Sequence, residues 1–235
     1  MIIINQYLGF RQIWMTALRR WTAVAAAVLA ASTAVAGPPA GTVDDPIVDS
    51  AMTEAEAFDG LRPGCPAEIR DAQRLLDVLY FGFDGKVHKG QIVVHEELVD
   101  DVRHVFSVAL REKFPIRSVI PVSHPGFRKD GFWDDDLAMA ADDSSGFNYR
   151  PITGGGRISQ HGYGRAVDIN TFENPYVKGS KVLPPGAKYD PAAPGTLTRD
   201  HPVVRAFLER GWSWGGDWKA PGPIDYQHFE KRAPN

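Results

Sequence analysis

One carboxylate constrains this chain more than any other residue. Asp168 lies within Ala166-Val167-Asp168-Ile169, where alternation cannot easily hold it clear of apolar neighbours. An unpaired carboxylate in such surroundings is very costly, so the fold must bring it a cation or strong donors. His161 stands seven residues upstream, across a turn that Gly162 and Gly164 can bend tightly. An imidazole and a carboxylate brought together beside a strand make two thirds of a three-ligand catalytic metal site. The third ligand must come from elsewhere, and Asp225-Tyr226-Gln227-His228 offers His228. Asp225, three residues earlier, can then stand near the metal without ligating it, where a base for bound water belongs. The same residues admit a plainer reading, in which Asp168 pairs with an arginine and both histidines are merely packed.

The rest of the chain is compatible with such a site. Its 235 residues are 43% hydrophobic and 11% aromatic, long enough to bury a substantial core and too aromatic to be disordered throughout. There is no Gly-X-Y period and no long heptad run. Cys65, the one cysteine, excludes an internal disulfide or a cysteine-rich zinc site. Residues 1–36 carry Arg11, Arg19 and Arg20, no acid, and then an apolar run from Trp21 to Val35 ending in Ala34-Val35-Ala36. That run is shorter than the roughly 20 residues of a membrane span and reads as a cleaved secretory signal. Met15 would begin a signal of more usual form. Without residues 1–36 the chain has 23 Lys+Arg against 29 Asp+Glu, a net of −6 that argues against nucleic acid as a partner. The expectation is an exported, acidic monomer, periplasmic or extracellular, with no stable membrane insertion after cleavage.

Residues 37–65 read as a linker or loosely docked arm, and 66–232 as one α+β domain. A mixed or antiparallel sheet flanked by helices is expected, with helices mostly first and short strands mostly later. The spacing of Ile69, Ala72, Leu75, Leu76 and Leu79 after Pro66 predicts a helix, followed by a turn over 82–90 and a short strand over 91–94. A helix follows from Glu96 to Phe114, then a strand over 116–122 and a short helix over 134–141. Residues 173–199 read as a surface loop, 202–210 as a helix, and 212–218 and 224–229 as strands.

The pattern Ser159-x-His161-x-x-Gly164-x-Ala166-x-Asp168, with Asp225-x-x-His228, resembles that of the zinc D-alanyl-D-alanine carboxypeptidases and dipeptidases. These are grouped with the L-alanyl-D-glutamate endopeptidases of peptidoglycan. Phe81–Gly85, Phe147–Arg150 and Asn174–Tyr176 resemble stretches of the same family in the same order, so the likeness spans roughly 70–232. It implies the small α+β fold shared with the hedgehog signalling domain. It also implies one Zn²⁺ on His161, Asp168 and His228, with Asp225 as general base. Arg150 would reach the scissile carbonyl or its oxyanion, and Ser159 would line the substrate pocket. The implied substrate is a peptidoglycan stem peptide. Most carboxypeptidase and dipeptidase members carry Glu where this chain has Asp225, which is more like the endopeptidase branch. A rival function is a catalytically inactive zinc-containing cell-wall binding module, and a rival role for Arg150 is a salt bridge to Asp142 or Asp143. His88, His95, His104 and His201 read as surface or cap residues. His124 is less settled, and Trp212, Trp214 and Trp218 read as core and cleft wall.

Overall fold

A computed structural model describes residues 40–152, 155–219 and 221–233. The secretory-signal reading of residues 1–36 lies outside them. The chain opens with β1 (Ile47–Val48), α1 (Glu54–Phe58) and α2 (Ala67–Asp71), then β2 (Gln73–Gly82) and β3 (Val87–His95). The helix expected from Pro66 therefore ends after one turn. From Gln73 the chain is a strand, paired with β3 from Gln73↔His95 to Phe81↔Val87. Leu76, Val78 and Tyr80 face the main core, while Leu75 packs into a second cluster behind the sheet. A strand covered on both faces carries apolar residues in a run, and here that run coincides with helical spacing. The turn over 82–90 shrinks to 83–86, where the Lys86 N–H donates to Asp84 Oδ1 at 3.1 Å.

Over its described part, 40–65, the arm is attached at particular points, while residues such as Thr42–Asp45 stay exposed. β1 pairs in parallel with β3, and the Ser50 hydroxyl donates to Gln91 Oε1 at 2.8 Å. Thr53 and Glu56 form a capping box on α1, whose Ala57 is fully buried. Asp59 anchors the end, receiving Arg128 Nη1 at 2.7 Å and, on its carbonyl, Trp133 Nε1 at 2.7 Å. These partners lie far away in sequence, so composition alone could not reveal them.

A short 3₁₀ turn (Glu96–Leu98) leads into α3 (Val99–Arg111), which buries Val102, Val105, Phe106, Val108 and Ala109 within the expected helical span. The strand expected over 116–122 is regular only in β4 (Pro115–Ile116); beyond it, the Val119 carbonyl still accepts from Gln91 N–H at 2.8 Å. β5 (Arg128–Lys129), β6 (Phe132–Trp133) and α4 (Asp135–Ala140) follow, then β7 (Ala166–Asp168). The expected loop over 173–199 contains a hairpin, β8 (Tyr176–Lys178) and β9 (Lys181–Leu183). α5 (Pro202–Glu209), β10 (Ser213–Trp214), β11 (Ile224–Asp225) and β12 (His228–Glu230) complete the chain.

The fold is α+β, with four small sheets among the described residues where one was expected; short strands do come later, but the two long strands β2 and β3 stand early, where helices were expected. Their orders are β1-β3-β2-β4, β10-β12-β7, β11-β8-β9 and β5-β6. α3 and α5 pack over the main core, where Phe207 stacks on Phe229 with ring centroids 3.9 Å apart and meets Trp212 at 5.1 Å. Phe207 is fully buried. Phe207→Ala is therefore expected to destabilise the protein by about 3–5 kcal/mol. Urea denaturation of the metal-free protein measures this, and a loss under 1 kcal/mol would contradict the packing described.

Candidate metal centre and active-site cleft

The register of two strands sets the site. β12 runs antiparallel to β7 with His228 opposite Asp168, Phe229 opposite Val167 and Glu230 opposite Ala166. Directly paired residues project from the same face of a sheet, so His228 and Asp168 meet there while Phe229 and Val167 enter the core. His161 arrives from a 3₁₀ turn, Gln160–Tyr163, whose His161 N–H donates to the Ser159 hydroxyl at 3.3 Å. Gly164 ends that turn at φ +66°, and a Cβ there would collide with Gln73 Oε1, so only glycine lets the chain drop from His161 into β7. The ring of His161 is held from behind, with Nδ1 bonded to the Gly146 carbonyl at 2.7 Å.

Three donor atoms converge as a result. His161 Nε2 and His228 Nδ1 are 3.2 Å apart, His228 Nδ1 and Asp168 Oδ1 3.0 Å, and His161 Nε2 and Asp168 Oδ1 3.2 Å. Ligands about 2.0–2.1 Å from a tetrahedral zinc stand roughly 3.3 Å from one another, so this triangle fits such an ion with small adjustment. Among the described residues, this is the group of His, Cys, Asp and Glu so arranged that it could hold a metal. Burial alone would raise the Asp168 pKa, but the charge and hydrogen bonds of His161 and His228 outweigh it and hold the carboxyl well below the usual range. Burial would likewise depress His228, yet its bonds to Asp168 and Glu230 push it up to about 10. The arginine partner for Asp168 in the plainer reading is absent among its described contacts; both histidines take that place.

Asp225 reaches the same point from the neighbouring sheet, where β11 pairs Asp225 with Tyr176. Its Oδ1 is sealed from solvent and has no hydrogen-bond partner among the described residues. Burial raises its pKa to about 6, with His228 lowering and Asp168 raising it further in turn. Arg150 lines a cavity of about 480 Å³ together with Asp225, Ser159, Trp218 and the three donor residues. Its ion pair is with Asp135, Nη2 to Oδ2 at 2.6 Å, and not with Asp142 or Asp143 as the rival reading had it. Asp142 pairs instead with Arg117, and Asp143 accepts from the Ser118 hydroxyl and Ile120 N–H. The Arg150 Nε is buried with no partner among the described residues.

The remaining histidines stand apart from the cleft. His88 binds Asp49 and Asp84, while His95, His124 and His201 each cap a following turn through Nδ1. Trp212 and Trp214 are core, and Trp218 lies against His228 with ring centroids 5.4 Å apart. Sequence reasoning passed over Glu230, whose Oε2 meets His228 Nε2 at 3.2 Å. The signal was there in His228-Phe229-Glu230, because residues two apart in a strand share a face.

A family model described as D-alanyl-D-alanine carboxypeptidase matches residues 153–231. The match covers about a third of the chain and shows what that segment is similar to. The match takes in every donor of the triangle and Asp225, and it leaves Arg150 just outside. Comparison with curated proteins and with solved structures gives no match. The matched segment thus contains the three converging donor atoms and the buried carboxylate, while the preceding part of the chain contributes Arg150 and its partner Asp135.

Proposed function

We propose that the chain is a zinc metallopeptidase that hydrolyses peptide bonds in peptidoglycan stem peptides. The observation that carries this is the triangle of His161, Asp168 and His228 beside the sealed, unpartnered Oδ1 of Asp225. A bound zinc ion would supply a Lewis acid that acidifies water and polarises a carbonyl. Asp225 takes the proton from the attacking water and returns it to the leaving amine. Arg150, oriented by Asp135, donates to the carbonyl oxygen as negative charge gathers there. Ser159 holds the turn that carries His161, and its hydroxyl hydrogen is free for a substrate acceptor at the cleft wall. The leader-like residues 1–36 support a protein exported to act at the cell wall. No described helix is long and apolar enough to cross a membrane.

Mass spectrometry of peptidoglycan fragments incubated with zinc-loaded and chelated protein tests the reading. Loss of terminal D-Ala identifies a carboxypeptidase, and cleavage between L-Ala and D-Glu an endopeptidase. Tight zinc binding with no change in any fragment would favour the binding module instead.

A second expectation follows from His228, charged up to about pH 10 in the metal-free protein. A metal must displace its Nδ1 proton, so apparent zinc affinity rises about tenfold per pH unit below that value and levels off above it. Calorimetry in buffers of different ionisation enthalpy reads the released proton. An affinity that stays flat between pH 6 and 8 would remove His228 from the ligand set.

A further inference from the structure

We infer that Glu230 is a positioning residue for the metal site, fixing which nitrogen of His228 faces the ion. This rests on the reading of His161, Asp168 and His228 as ligands. The two rings are presented by opposite edges: His161 offers Nε2 while its Nδ1 faces the Gly146 carbonyl, and His228 offers Nδ1 while its Nε2 faces Glu230. A neutral imidazole has one N–H and one lone pair, so an acceptor behind the ring decides which nitrogen can ligate. Gly146 does this for His161 with a neutral backbone oxygen, and Glu230 does it for His228 with a charged one.

Glu230 is itself held on both sides. Its backbone lies mid-sheet, opposite Ser213 on β10 and Ala166 on β7. Its second oxygen, Oε1, takes a two-pronged contact from Arg232, Nε at 2.9 Å and Nη2 at 2.7 Å. The residue is buried, so this carboxylate has few competing water partners. It is not a fourth ligand of the same ion, because it contacts Nε2, on the edge of the ring away from Asp168 and His161. A carboxylate accepting the remote N–H also makes the imidazole a stronger electron donor, which a carbonyl does less well.

The test compares wild type with Glu230→Gln, which keeps the shape but loses the charge. Competition against a chromogenic chelator at fixed pH is expected to show zinc bound about 10–100-fold more weakly. Long-range ¹H–¹⁵N spectra of the zinc-loaded proteins give a readout that a packing role would not move. Wild type should show a protonated, slowly exchanging Nε2 on His228, and the variant a faster-exchanging one. Wild-type affinity and tautomer in a folded Glu230→Gln protein would overturn the inference and leave the zinc reading intact. Failure of wild type to bind zinc would instead overturn the zinc reading. Should Glu230→Gln not fold, Glu230→Asp keeps the charge but withdraws it from Nε2; weaker zinc binding then supports the role, and unchanged binding overturns it.

Discussion

Asp225→Asn is expected to lower kcat by about 10²–10⁴ while zinc binds as it does to wild type. The amide keeps the size of the side chain and loses the ability to accept a proton from water. Stability moves the other way. The carboxyl pKa is raised to about 6 in the fold from an ordinary value near 3.8, so the folded state favours the protonated form. The native protein then binds more protons than the unfolded chain between those values, stability falls as pH rises through them, and at neutral pH the penalty is complete. Removing the charge relieves it, so the variant should be at least as stable at pH 7. Turnover on a peptidoglycan fragment, zinc stoichiometry and urea denaturation together decide the matter. A variant with wild-type turnover would remove Asp225 from the chemistry. One that loses activity only by losing zinc or unfolding would assign it a structural role.

Asp168→Ala should abolish activity through a different route. It removes the anionic ligand of the triangle, so zinc affinity should fall by more than the roughly 10–100-fold of an outer-layer change. The metal-free protein should suffer as well. At neutral pH His228 carries a charge shared between Asp168 and Glu230, and deleting one partner of a buried charge costs about 3–5 kcal/mol. Glu230 remains, which places the expected loss at the lower end. The deficit should shrink as pH approaches 10, because the neutral imidazole no longer needs the anion. Chelator competition measures the first effect, and urea denaturation in EDTA across pH the second. A variant that keeps zinc at wild-type affinity would refute the ligand assignment.

These expectations differ in how far they could be read without coordinates. The Asp168 argument needs only a carboxylate flanked by Val167 and Ile169, because burying an unpaired charge is prohibitive in any fold. The turn at Gly162 and Gly164 and the Asp225-x-x-His228 spacing then narrowed the partners to residues that the structure brings together. Arg150 entered through resemblance alone. Its ion pair with Asp135 joins residues whose approach depends on how α4 meets the loop before the 3₁₀ turn, and no local rule states that. Glu230 was legible as a same-face neighbour of His228 but carried no signal of its own until His228 Nε2 was seen to need an acceptor.

Local pattern determined the elements whose chemistry is self-contained: α3 and α5 with their apolar stripes, α4 behind its Asp134 cap, and the glycine-ended turn that carries His161. It misjudged the segments whose state depends on pairing. β2 is a strand because β3 lies beside it from end to end, and the attachment of the arm at Ser50 and Asp59 depends on Gln91, Arg128 and Trp133, all distant in sequence. Residue identity could say that Asp168 required a cation and strong donors. Only the tertiary structure decided that β12 would supply His228 in direct register, with Asp225 and Arg150 lining the same cleft, because cross-strand partners are chosen by packing at long range rather than by the residues on either side.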